Sequence, residues 1–127
     1  MSSNKIIKLI KEKEIEYVDL RFTDTRGKLQ HLTMDGNMVD EKMLNEGVFF
    51  DGSSIAGWKA INESDMILKP DLERQIIDPF TSHNTLILFC DVIDAIKKSP
   101  YERDPRSIAK KAEAYLKKTG IGDKAYF

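Results

Sequence analysis

Between positions 51 and 65 the chain gathers the side chains best suited to chemistry. Asp51-Gly52-Ser53-Ser54 opens this stretch and Glu63-Ser64-Asp65 closes it, with the chain's single tryptophan, Trp58, between them. A carboxylate attracts a cation and can accept or pass on a proton, and a serine hydroxyl adds a neutral donor and acceptor. Asp-Gly-Ser-Ser is also good turn material, because Asp and Ser bond nearby backbone N–H groups and Gly bends freely. On residue types alone, a turn is the plainer reading. A long loop with its own aromatics is nevertheless more often functional than connecting. The other reactive side chains carry less. His31 falls on an expected strand with no His, Cys or carboxylate at metal-ligand spacing, so it receives no role. His83, in Ser82-His83-Asn84, reads as a solvated loop residue. Cys90 ends the apolar run from Leu86 and reads as core, with no histidine placed to activate it.

The elements that must position these residues follow from periodicity. Asn4 to Glu14 reads as a helix, capped by Ser3 or Asn4, with Ile6, Ile7, Leu9 and Ile10 as its apolar stripe. That stripe is short and lacks a bulky aromatic, so the helix covers a core rather than anchoring to a membrane. From Glu16 to Asp24 the period is two: Val18, Leu20 and Phe22 on one side, Asp19, Arg21 and Thr23 on the other. Asp24-Thr25-Arg26-Gly27 turns the chain into a second strand, Lys28 to Met34. Asp40 caps a short helix ending near Gly47 in the left-handed position, and Val48-Phe49-Phe50 is a brief strand leading into the loop.

After the loop, Met66 to Lys69 reads as a strand ended by Pro70-Asp71. Gln75 to Asp78 reads as another, and Thr85 to Val92 as the most buried one. Residues 95–101 form a connector. Asp104 as cap and Pro105 at the first position open a helix with Ile108, Ala112, Tyr115 and Leu116 on its apolar face and Gly120 at its end. Asp123 to Phe127 reads as the start of a further strand. The class is α+β, a mixed sheet packed against helices.

The bulk numbers exclude several roles. The 127 residues are 41% hydrophobic and 32% charged, as expected of a soluble globular domain. Twenty basic against 21 acidic residues give no electrostatic footprint for nucleic acid or an anionic membrane. No apolar run approaches the roughly 20 residues of a membrane helix, and the N-terminus lacks a signal-peptide core. A lone cysteine cannot form an internal disulfide, which fits a reducing cytosol.

The order of residues adds a resemblance. Phe50-Asp51-Gly52-Ser53-Ser54, followed after eight residues by Glu63-Ser64-Asp65, closely resembles a signature in the N-terminal domain of glutamine synthetases. Val18 to Gly27 looks like that family's first hairpin, and Tyr101 to Ala109 looks like its entry into the catalytic domain. The similarity to bacterial type I glutamine synthetases therefore spans essentially the whole chain. It implies a β-grasp N-terminal domain over residues 1–103, then the first helix and strand of a truncated catalytic domain over 104–127.

The resemblance also implies an activity and an assembly. Enzymes of this family join glutamate to ammonia at the expense of ATP, through γ-glutamyl phosphate, with Mg²⁺ or Mn²⁺ on the phosphates. They are cytoplasmic double rings of twelve subunits, with each active site between two neighbours and no nucleic-acid or membrane partner. The metal-holding glutamates, nucleotide site and glutamate-binding arginines are not in this sequence, so the chain alone is expected to be inactive, with no metal or nucleotide of its own.

By the same resemblance, Asp51 of one subunit holds and deprotonates ammonium in its neighbour's site, and Ser54 adds a neutral acceptor. Gly52 lets the backbone turn tightly, and Ser53 serves the turn. Trp58 is either a hydrophobic plug or packs near the neighbour's nucleotide pocket. Asp65 pairs with a basic residue of the neighbour and holds the loop shut. Two other readings are a ligase acting on polyamines or other amines, and a standalone β-grasp interaction module. The interrupted last strand and the apolar 105–119 face weigh against the module.

Overall fold

The structure, a computed structural model, describes residues 2–58 and 64–126. Helix α1 (Ser3–Glu12) buries Ile6 and Ile10 and rests Ile7 and Leu9 partly against the core. Strands β1 (Tyr17–Thr23) and β2 (Leu29–Asp35) form the expected hairpin, with Leu20 opposite Leu32. Gly27 closes it at φ +81°, while buried Asp24 accepts from the backbone N–H groups of Arg26 and Lys28, each at 2.9 Å. Helix α2 (Glu41–Glu46) starts where Asp40 Oδ1 accepts the Met43 N–H at 2.7 Å. The remaining elements are β3 (Val48–Asp51), β4 (Asp65–Ile77), β5 (Thr85–Asp94), β6 (Ser99–Pro100) and α3 (Pro105–Thr119).

The sheet runs β2-β1-β5-β4-β3, and β6 also pairs with β5. Strands β1 and β5 are parallel and every other pair is antiparallel, so the sheet is mixed as expected. Alternation sends Val18, Leu20, Met66, Leu68, Leu86, Leu88 and Val92 into one core with Ile6, Ile10 and Leu44 of the helices. Cys90 joins that core, and burial pushes its thiol up to about 12, in keeping with a structural role.

Asp19 lies on the other face of the sheet and is nonetheless buried. It accepts from Arg21 Nε at 2.7 Å and Thr33 Oγ1 at 2.8 Å, and meets His31 Nδ1 at 2.7 Å. A carboxylate therefore does stand beside His31, one strand away and twelve residues back, which the reading along the chain did not reveal. Burial opposes ionisation of Asp19, but the bonds from Arg21, His31 and Thr33 outweigh it and hold the carboxyl below its ordinary 3.8. Ionised Asp19 thus stabilises the fold above the unfolded value, and that contribution is lost as pH falls through the lowered folded value. Asp19→Asn is expected to flatten the acid limb of a stability–pH curve below about pH 4. Urea titrations from pH 2 to 7 check this, and unchanged acid limbs would refute it.

Several boundaries differ from those read in the sequence. The first helix ends at Glu12, and its N-cap is Ser2 without a side-chain capping bond, not Ser3 or Asn4. Gly47 has positive φ (+92°) but extended ψ (−175°), so it is not the left-handed helical cap expected. The two strands placed on either side of Pro70-Asp71 are one strand, β4, with an irregularity between Pro70 and Gln75. The 95–101 connector contains β6. The strand expected from Asp123 does not form over 123–126, and Phe127 lies outside the described residues.

Helix α3 begins as expected, with Asp104 as cap and Gly120 in the left-handed C-terminal position. Its first turn is tied to the sheet where β1 has stopped pairing and β6 has not begun. There Val92 receives Tyr101 N–H on its carbonyl at 2.9 Å and donates its own N–H to Asp104 Oδ2 at 3.3 Å. Two otherwise orphaned backbone groups of the central strand are thereby paired. Arg106 adds ion pairs to Asp91 and Asp71, and Lys110 one to Asp91. The apolar face of α3 further along is open, with Ile108 54% and Tyr115 70% exposed.

Candidate functional site

Strand β3 is short, and its job in the fold is to deliver Asp51 to the end of a paired ladder. Asp51 is its last residue and stands directly opposite Asp65, the first of β4. Just past that rung, the Gly52 N–H donates to the Ser64 carbonyl at 2.7 Å. Directly opposite residues share a face of the sheet, so two exposed carboxylates mark this corner as negative.

The Asp51 side chain is held as well as exposed. It caps a 3₁₀ turn over Gly52–Ser54, and its Oδ1 accepts from Ser53 N–H at 2.9 Å and Ser53 Oγ at 2.6 Å. The Ser64 side chain bonds to it from just ahead of β4. The Ser53 hydroxyl, the Ser53 N–H and the Ser64 side chain, in that order, hold its carboxyl below the usual carboxylate range. Such a group stays ionised at neutral pH, attracts a cation, and gives up readily any proton it accepts.

Gly52 matters for a different reason from the one expected. A side chain there would place Cβ 2.5 Å from Met66 Cγ and 2.9 Å from the Ser64 carbonyl oxygen. Close approach of two strands, rather than an unusual turn, requires glycine at this position. Ser54 is exposed at the end of the turn, beside Asp51 in sequence and free of the core.

Trp58 turns inward. It is buried against Tyr101 at 5.3 Å, Phe22 at 5.7 Å and Phe50 at 6.4 Å between ring centroids. Its indole N–H is buried with no hydrogen-bond partner among the described residues. Glu63 lies outside the described residues.

The structure thus brings Asp51, Gly52, Ser53, Ser64 and Asp65 together, leaves Ser54 at the rim and sends Trp58 to the core. Ser64 was not singled out from the sequence as a partner of Asp51. Extending the Phe50–Met66 pairing by two rungs, past Asp51–Asp65, places it opposite Gly52 and beside Asp51. Among the described residues no group of three or more His, Cys, Asp or Glu side chains could hold a metal ion, and no helix is long and apolar enough to cross a membrane.

A family model described as "Glutamine synthetase, beta-Grasp domain" matches residues 14–95. The chain is 58% identical over 125 residues to a glutamine synthetase of Rhizobium meliloti, covering 98% of this chain and 27% of that protein. It is 51% identical over 127 residues to a glutamine synthetase of Escherichia coli K12, covering all of this chain and again 27% of the relative. Among solved structures, the cryo-EM structure of Plasmodium falciparum glutamine synthetase superposes with a TM-score of 0.82 at 25% identity, over 94% of this chain and 23% of that one. Ligand-free GmaS superposes at 0.78 with 23% identity, over 87% of this chain and 25% of that one, a likeness of fold. The chain spans about a quarter of the length of the curated relatives it matches. With a family model over most of the chain and the mixed sheet carrying the Asp51 corner, this chain belongs to the glutamine synthetase β-grasp family.

Proposed function

We propose that this chain is the N-terminal part of a glutamate–ammonia ligase, an ATP-dependent enzyme of glutamine biosynthesis, and that Asp51 holds the ammonium ion. In this reading residues 1–103 form the β-grasp unit, and residues 104–127 open the catalytic domain. The observation that carries it is the held and ionised Asp51 at an exposed corner of the sheet. Ammonium has no lone pair, so it must be held and then deprotonated before it can attack an acyl group. Asp51 attracts the cation and passes its proton on, and Ser54 offers a neutral acceptor that suits a small tetrahedral donor. Gly52 brings the two strands close, and Ser53 orients the carboxylate.

A site at an exposed corner is completed from outside, and we assign that completion to a neighbouring subunit in a twelve-membered double ring in the cytoplasm. Asp65 would meet a basic residue of that neighbour. We assign Mg²⁺ or Mn²⁺ and the nucleotide to other parts of the assembly, and the chain alone is expected to be inactive. The open apolar face of α3 supports this reading over a self-contained binding module, because such a face calls for a covering surface. Asp51→Ala in the full-length protein is expected to cut glutamine formation strongly and to weaken saturation by ammonia. Unchanged ammonia saturation would overturn the assignment.

A further inference from the structure

The turn that follows Asp51 is fastened at Gly57 and Trp58 by a residue outside the motif. Arg103 Nη1 donates to the Gly57 carbonyl at 2.8 Å and to the Trp58 carbonyl at 3.4 Å. We propose that Arg103 is a positioning residue for Asp51, bracing the 52–58 turn against the 101–104 segment and so fixing the direction in which the carboxylate is presented. This role rests on the reading of Asp51 as the ammonium-holding group.

Two observations make the brace effective. The first is that the turn between its ends is tight at each step. Ser53 N–H bonds Asp51, Ile55 N–H bonds the Gly52 carbonyl at 3.2 Å, and Trp58 N–H bonds the Ile55 carbonyl at 3.1 Å. These bonds link residue 58 step by step back to Asp51. The second is that Arg103 stands on a fixed base. Tyr101 N–H and the Asp104 carboxylate both bond Val92 of the central strand, and Asp104 N–H bonds the Tyr101 carbonyl at 3.1 Å. The Trp58 ring lies on Tyr101, so side chain and backbone are held by the same segment.

Guanidinium suits the task because it is always charged and presents a rigid fork of donors, whereas lysine offers one mobile ammonium. Arg103 is exposed, so replacing it removes the brace without opening a cavity in the core.

Trp58 is the chain's only tryptophan, so its emission reports on the brace directly. Arg103→Ala in this chain is expected to red-shift that emission and increase quenching by acrylamide, with Arg103→Lys intermediate. In the full-length protein, Arg103→Ala is expected to raise the KM for ammonia by about tenfold, leave the KM for glutamate and ATP near the parent values, and be partly rescued by Arg103→Lys. Unchanged emission and quenching would overturn the brace. An unchanged ammonia KM, where Asp51→Ala raises it, would overturn the positioning role alone. If Asp51→Ala also leaves ammonia saturation unchanged, the reading of Asp51 fails and this role with it, whatever Trp58 shows.

Discussion

Gly47→Ala is expected to destabilise the chain by about 2–6 kcal/mol, from two independent costs. At φ +92° and ψ −175° the backbone sits in a region essentially reserved for glycine, which costs a side-chain-bearing residue about 1–3 kcal/mol. The added methyl would also lie 2.5 Å from the Leu68 carbonyl oxygen and 2.6 Å from Ile67 Cγ2. The first of these is backbone of the paired strand and cannot swing aside, so an overpacking cost of about 1–3 kcal/mol adds to the first. Both effects fall where α2 ends and β3 begins, with Gly47 N–H bonded to the Met43 carbonyl at 2.8 Å. A urea titration followed by circular dichroism checks this, and a loss below about 1 kcal/mol would show that the α2–β3 junction relaxes freely.

Leu88→Ala is expected to cost about 2–5 kcal/mol, a large fraction of the roughly 5–15 kcal/mol that stabilises a typical domain. Leu88 is fully buried at the middle of β5, with Leu20 of β1 beside it on one flank and Gln75 of β4 on the other. Because β5 is held from both sides, its backbone has little freedom to close the space a truncated side chain leaves. The urea midpoint should fall with the slope unchanged. A loss under about 1 kcal/mol would mean that the helices above the sheet settle into the gap.

The parts of this fold that were legible in the sequence are those governed by local chemistry. The hairpin follows from alternation through Val18, Leu20 and Phe22 and from Gly27, whose positive φ the turn requires. The start of α3 follows from Asp104 and Pro105. What was not legible depends on residues distant in sequence. Pro70 reads as a strand end because it cannot donate to a ladder, yet β4 continues through it by bulging. From Pro70 to Gln75 is five steps, against two from Cys90 to Leu88 on the partner. Asp71 steadies that bulge by accepting the Glu73 N–H at 3.0 Å. His31 and Asp19 meet only because of the β1–β2 register, which no spacing along one strand displays. At the site, the turn chemistry of Asp51 and Ser53 was legible from adjacent residues, while the role of Gly52 depended on Met66 of β4 and Ser64 just ahead of that strand.

The burial of Cys90 gives the protein an internal clock. Its sulfur is almost wholly enclosed on the central strand, and the raised thiol leaves next to no thiolate at neutral pH. A disulfide reagent in solution can reach it only when β5 parts from its neighbours, an event that disrupts the core as a whole. With no second thiol to compete, labelling under reagent concentrated enough to outpace reclosing counts those openings.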